Sequence, residues 1–185
     1  LLESDELGAV AVLKSPYDLG SAEIRTILDL AKKYFENALL FVGEKEVGGF
    51  GRQILELPLN ERKSLSLRVP AGYFSQVNLK INSQLVTKAL EISGIKSGQT
   101  VFDLYSGAGN FSLPFAQRGA KVTAVECDKR LVGLGKENLT RYGLEKNLSF
   151  VESSVEKFLG KIQKEKLSCD LIVADPPRSG LGSLA

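Results

Sequence analysis

The chain has 185 residues, 43% of them apolar and 25% charged, with 24 basic against 22 acidic side chains and a net charge of +2. That is the make-up of one globular domain, or of one domain with part of another, and it neither demands nor excludes a nucleic-acid partner. No apolar run reaches the ~20 residues of a membrane helix, so no membrane span is expected. The absence of histidine removes Ser-His-Asp and Cys-His catalysis, and two cysteines far apart, Cys127 and Cys169, suggest neither a zinc site nor a disulfide scaffold.

The chain contains no methionine, starts Leu1-Leu2-Glu3 and ends Ser183-Leu184-Ala185 just after a motif-like loop. A piece of a longer protein is expected, with no signal peptide at the observed start, and free cysteines point to a reducing cytoplasm.

Residues 1–73 read as part of a smaller α+β domain. Gly8 to Leu13 reads as a strand. Ser21 is placed to cap a helix through Tyr34, in which Ile24, Ile27, Leu28, Ala31 and Phe35 recur at helical spacing. Leu39 to Val42 reads as a strand, Gly48-Gly49-Phe50-Gly51 as a turn, and the alternation in Ser64 to Val69 as a half-buried strand.

Residues 74–185 are more regular. A helix from about Asn82, carrying Leu85, Val86, Ala89, Leu90 and Ile92, stops at Gly94. A strand from Val101 to Tyr105 enters the glycine turn Ser106 to Gly109, and a short helix runs on to Arg118. Strand Lys121 to Glu126 is followed by a helix to about Tyr142. Strand Leu148 to Val151 is followed by a helix carrying Val155, Phe158, Leu159 and Ile162. A last strand, Asp170 to Ala174, runs into Asp175-Pro176-Pro177-Arg178. Strands alternating with helices predict an α/β domain with a doubly wound parallel sheet, its strand C-termini on one edge, where ligands of such sheets bind.

Three motifs fall on that edge. Asp103 ends the first strand and Gly107-Ala108-Gly109 opens the next helix, letting backbone approach a ligand. A dinucleotide site wants a third glycine three residues on, where this chain has Ser112, so NAD and a dehydrogenase are disfavoured. Glu126, ending the second strand, is placed to accept both hydroxyls of an adenosine ribose; alternatively Glu126 and Asp128 merely complement the next helix dipole. Asp175-Pro176-Pro177-Arg178 forms a stiff loop that holds a side chain still beside a reacting centre, or a rigid surface turn. One per strand end and in this order, the three motifs describe a Rossmann-like S-adenosylmethionine (SAM) methyltransferase.

Phe74-Ser75-Gln76-Val77-Asn78, then Asp103-Leu104-Tyr105-Ser106-Gly107-Ala108-Gly109-Asn110-Phe111, Val125-Glu126 and Asp175-Pro176-Pro177-Arg178-Ser179-Gly180, resemble the RNA uracil-5-methyltransferase family, which makes 5-methyluridine in 23S ribosomal and transfer RNA. The likeness covers about Leu65 to Gly182, and the F-x-Q-x-N element is its specific part. It implies that Gln76 and Asn110 hydrogen-bond SAM, that Tyr105 and Gly107 line its pocket, that Glu126 holds the ribose, that Ser154 lies near adenine and that Asp175 lies near the methionine part. Phe74 would face the flipped uracil or serve as a core aromatic, and Arg178 would contact RNA or brace the loop. Phe and Cys are common in the family where this chain has Tyr105 and Ser106, and Ser154 stands where Asn or Asp is expected.

The resemblance also implies covalent help. A cysteine thiolate adds to carbon 6 of uracil, carbon 5 takes the methyl from SAM, and a carboxylate then removes the carbon-5 proton as the cysteine leaves carbon 6. The family's cysteine and base lie beyond the Asp-Pro-Pro-Arg loop, so no catalytic residue is expected in this chain; Cys127 reads as incidental and Cys169 as a small core residue. The chain is expected to bind SAM without methylating RNA. Relatives carry an upstream iron–sulfur motif or RNA-binding barrel, and neither is found in these residues. Two rival readings remain. One is a methyltransferase for another RNA base, such as carbon 5 of cytosine; the other is a non-catalytic SAM-fold module that binds RNA. Lys32, Lys33, Arg62, Lys63, Lys161, Lys164 and Lys166 are either phosphate contacts or solvated faces.

Overall fold

The computed structural model describes residues 2–5, 8–60, 64–73, 78–177 and 180. It divides into two compact units, Leu1–Leu57 with Val69–Ser75, and Pro58–Arg68 with Gln76–Ala185. The sequence reading instead cut the chain once, between 73 and 74.

In the first unit, strands β1 (Leu2–Asp5), β2 (Gly8–Ser15), β3 (Ala38–Val42) and β4 (Lys45–Phe50) form one sheet in that order. The β2–β3 pair is parallel, and the crossover between them carries helix α1 (Ser21–Ala31). Its N-cap is Gly20 rather than the expected Ser21: the Glu23 side chain reaches back and accepts the Gly20 N–H at 2.7 Å. Gly48 and Gly49, expected in a turn, lie inside β4. They are there for clearance. A Cβ on Gly48 would lie 2.9 Å from Leu28 of α1, and one on Gly49 would lie 2.6 Å from the Ala38 carbonyl oxygen.

Strands β5 (Ile54–Pro58) and β6 (Ser66–Pro70) form a separate two-stranded sheet. At one end Ala71 N–H donates to Gln53, and at the other Leu59 N–H donates to Leu65.

The second unit is the α/β domain. Helix α2 (Leu79–Ser93) starts on Asn78, whose side chain accepts the Ile81 N–H, and ends on left-handed Gly94. Strands β7 (Thr100–Leu104), β8 (Lys121–Glu126), β9 (Leu148–Glu152) and β10 (Leu171–Ala174) are all parallel, ordered β10-β7-β8-β9. Helices α3 (Ser112–Gln117), α4 (Lys129–Arg141) and α5 (Val155–Glu165) follow β7, β8 and β9. The chain therefore winds outward from β7 to β9 and then returns to β7's other side. That reversal between β7 and β10 is the switch point at which open α/β sheets bind ligands.

Burial follows the winding. In β7, Val101, Phe102, Asp103 and Leu104 are all buried, although successive residues face opposite sides. Phe102, Leu104 and Val125 pack with Val155 and Phe158 of α5, the Phe102 and Phe158 rings meeting edge to face at 5.2 Å. On α4, Gly135 lies so near β9 that a Cβ there would stand 2.4 Å from the Phe150 ring. Among the described residues no helix is long and apolar enough to cross a membrane.

Candidate functional site

The site grows from the turn after β7. Tyr105 takes φ 60°, Gly107 56° and Gly109 108°. Positive φ costs glycine nothing, but for an aromatic residue it is strain that the surroundings must hold, and it concentrates at functional turns. Here the Tyr105 ring packs on the Phe102–Phe158 cluster, and Ser106 N–H donates to the Val125 carbonyl at 3.0 Å. The turn thus lies against the end of β8. Among the described residues no atom lies within 4 Å of where a Gly107 Cβ would point, so none of them closes that face of the loop.

Glu126, the last residue of β8, is held by the loop and by its own strand end. Its Oε2 accepts the Gly107 N–H at 3.0 Å, and its Oε1 accepts those of Cys127 at 2.8 Å and Asp128 at 2.9 Å. Asp128, not Glu126, caps α4, accepting the Arg130 and Leu131 N–H groups. That leaves Glu126 outside the helix cap and beside a cavity of about 200 Å³. The walls of this cavity are Tyr105, Val125, Glu126 and Cys127 with residues 153–156. Tyr105, Glu126 and Ser154 therefore line one cavity. Ser154 also caps α5, its hydroxyl accepting the Lys157 N–H at 3.3 Å. Cys127, read as incidental, is part of the wall; burial and the Glu126 carboxylate raise its thiol above the usual range. Cys169 is half-buried against the Phe102–Phe158 cluster.

Asn110 lies off this cavity. Its side-chain amide pairs reciprocally with that of Asn82 on α2, at 2.8 and 3.1 Å. Asp175 is exposed just beyond β10 and acts electrostatically on Asp103. Phe74, Gln76 and Arg178 lie outside the described residues.

The sequence reading passed over three residues. Ser112, noted only as a missing glycine, is buried and donates its hydroxyl to Asp103 Oδ2 at 2.5 Å. Asn82 positions Asn110. Asn138 of α4, 0% exposed, accepts the Arg68 N–H at 3.0 Å and donates to the Arg68 and Ala108 carbonyls at 3.0 and 3.2 Å. It thereby ties α4 to the glycine loop and to segment 58–68. The available signal was polarity out of place: asparagine on the apolar face of a helix that also carries Val132, Leu134 and Leu139.

Asp103 is 1% exposed, and desolvation raises its carboxyl to about pH 7 against an ordinary 3.8; the Ser112 hydrogen bonds oppose the rise, while Asp175 and Glu126 add to it. Among the described residues, its Oδ1 and the Ser106 hydroxyl are buried with no hydrogen-bond partner. Orphaned buried oxygens under an open glycine loop suit a polar ligand at the loop.

The parallel sheet, the glycine loop after β7 and the acids on adjoining strand ends define a SAM-dependent methyltransferase fold. Solved structures share that fold. The Pyrococcus abyssi tRNA (uracil-54, C5)-methyltransferase, in complex with S-adenosyl-L-homocysteine, superposes with TM-score 0.60 at 20% identity, over 95% of this chain and 41% of that one. A SAM-dependent methyltransferase from Agrobacterium tumefaciens gives 0.57 at 20% identity, over 81% and 49%.

The chain belongs to the tRNA (Uracil-5-)-methyltransferase family, which residues 50–184 match. It is 34% identical over 179 residues to the 23S rRNA (uracil(1939)-C(5))-methyltransferase RlmD of Shewanella amazonensis, covering 94% of this chain and 38% of that protein. It is 38% identical over 125 residues to the Salmonella typhi protein of the same name, covering 68% and 29%. The chain thus spans well under half the length of these curated relatives.

Proposed function

We propose that this chain is the SAM-binding portion of an RNA uracil-5-methyltransferase acting on 23S ribosomal RNA, with residues 74–185 as the cofactor domain and 1–73 as part of a smaller α+β domain. The observation that carries the reading is Glu126, a carboxylate tied to the Gly107 N–H at 3.0 Å and forming part of the cavity wall. SAM fits what surrounds it. The diol of its ribose suits Glu126, and the apolar walls Val125, Val155 and Tyr105 suit an adenine ring. Its methionine part suits the open face of Gly107, with Asn110, Gln76 and Asp175 as partners. When bound, SAM supplies an electrophilic methyl group.

The chain's own work is positioning. The strained turn at Tyr105 presents the loop, the Asn82 amide orients Asn110, and the Asp175-Pro176-Pro177 loop faces the substrate side with Phe74 and Arg178 as RNA contacts. Attack on carbon 6 needs a thiolate. Cys127, raised above the usual thiol range, and Cys169, packed on the core cluster, are poor sources of one. We therefore assign the nucleophile and the general base to neither cysteine nor any other residue here, and the chain alone binds SAM without methylating RNA. The curated relatives favour ribosomal over transfer RNA as substrate.

Calorimetry of SAM binding to this chain, with NAD as control and Glu126→Ala as the site variant, tests the reading. SAM alone binds, and Glu126→Ala weakens it at least tenfold, equivalent to about 1.4 kcal/mol. Equal binding of NAD, or an unaffected variant, would sink the assignment, and 5-methyluridine made by the chain alone would overturn the placement of the nucleophile.

A further inference from the structure

We infer that Asp103 senses the charge of the bound cofactor: it releases its proton when cationic SAM binds and keeps it when the neutral S-adenosylhomocysteine binds. The inference rests on the reading of this site as a SAM pocket.

The argument starts from the sheet. In the parallel register Asp103 lies beside Val173 of β10 and Ala124 of β8. Asp175 follows two residues after Val173, and Glu126 two after Ala124. Three acids therefore sit on three neighbouring strand ends, around the switch point. Asp103 is the innermost, 1% exposed. Its Oδ2 has the Ser112 hydroxyl, and its Oδ1 has no partner among the described residues. Elements packed around it supply no compensating charge among the described residues. Strand β7 has no other charged residue, and α3 contributes Ser112 and no charge. The ends of β8 and β10 contribute Glu126 and Asp175, which repel a second negative charge. On α2, Lys80 and Lys88 are exposed. Arg178 lies outside the described residues.

A carboxyl group so placed keeps its proton near neutrality, in line with its rise to about 7. What stabilises the ionised form is a cation arriving at the loop. SAM brings one: its sulfonium and ammonium outweigh its carboxylate, for a net charge of +1. S-adenosylhomocysteine has a thioether in place of the sulfonium and is neutral overall. The two ligands share adenosine and amino-acid groups, so Glu126 and the cavity walls treat them alike. Asp103 is where their difference is registered, and the preference for methyl donor over spent product then grows as pH rises toward neutrality and is level above it.

The test is calorimetry of this chain with SAM and with S-adenosylhomocysteine from pH 5.5 to 8.5, in pairs of buffers of different ionisation enthalpy. At pH 6 SAM binding releases close to one proton and S-adenosylhomocysteine binding close to none. Below pH 7 the SAM affinity falls toward tenfold per pH unit, while the S-adenosylhomocysteine affinity changes less than about twofold. Asp103→Asn abolishes the SAM slope. Should that variant not fold, Ser112→Ala serves instead: loss of the hydroxyl moves the break in the SAM profile to higher pH. Equal proton release by both ligands, a flat SAM profile, or a slope that survives Asp103→Asn or does not move in Ser112→Ala would overturn the inference while leaving the cofactor reading intact. Failure to bind SAM at any pH would overturn the cofactor reading and the inference with it.

Discussion

Replacing Gly135 with alanine sets two effects of known size against each other. Gly135 lies inside α4, where alanine gains about 1 kcal/mol over glycine from helix propensity alone. Its new Cβ would stand 2.4 Å from Cε1 and Cζ of Phe150 and 2.9 Å from Cδ1. Carbon atoms pack at roughly 3.5–4.0 Å, so the ring or the helix must move by about 1 Å. The ring has little room. Phe150 is buried, and its Cζ also lies 3.1 Å from the Cβ position of Gly109 in the loop. Overpacking of this kind costs roughly 1–3 kcal/mol, and the clash wins. Gly133, two residues earlier and exposed, has nothing within 4 Å of its Cβ position and feels propensity alone. Urea unfolding followed by circular dichroism should put Gly135→Ala up to about 2 kcal/mol below the parent and Gly133→Ala about 1 kcal/mol above it, with similar slopes. Phe150→Leu should narrow the Gly135→Ala deficit in a double-mutant cycle. A Gly135→Ala chain as stable as Gly133→Ala, or a cycle without coupling, would refute the close approach of α4 to β9.

Other outcomes follow from the same site. Asn138→Ala should cost roughly 3 kcal/mol in urea unfolding, because it strips partners from the backbone of Arg68 and Ala108; Asn138→Asp, which can still accept the Arg68 N–H but cannot donate to the two carbonyls, should not restore the carbonyl bonds. Asp103 should make stability fall as pH rises. Its folded value of about 7 lies above the unfolded 3.8, so its contribution is complete below about pH 4, is lost between pH 4 and 7, and is level above that. The span is on the order of 4 kcal/mol at most. The stability difference between parent and Asp103→Asn, followed from pH 4 to 8, should therefore shift steadily in favour of the variant; a constant difference would mean that Asp103 is ionised throughout.

The parallel sheet was legible because strands and helices alternate and the helices before β7, β8 and β9 stop near Gly94, Gly119 and Gly143, each of which takes positive φ. The same logic misplaced Gly48 and Gly49. Glycine used for clearance and glycine used for turning look identical in a sequence, and only the neighbour across the gap, here Leu28 or the Ala38 carbonyl, tells them apart. The placement of Glu126 beside the glycine loop was readable because it depends on position along adjacent strands, which the order of motifs encodes. Ser112 and Asn138 were not, because each acts on a group distant in sequence: Asp103 nine residues back, and Arg68 seventy residues back. The side-chain pairing of Asn110 with Asn82 is likewise one that no local pattern announces.

Segment 58–68 is counted with the second unit, while the chain on either side of it is counted with the first. Modules that trade a stretch of chain in this way cannot be lifted out by one cut. A piece beginning at residue 74 would keep Asn138, Arg141 and Tyr142 but lose Ser66 and Arg68, to which all three are bonded. In a gene, such a unit is inherited whole or not at all: a boundary moved to the obvious place would leave a buried asparagine with only the Ala108 carbonyl of its three backbone partners.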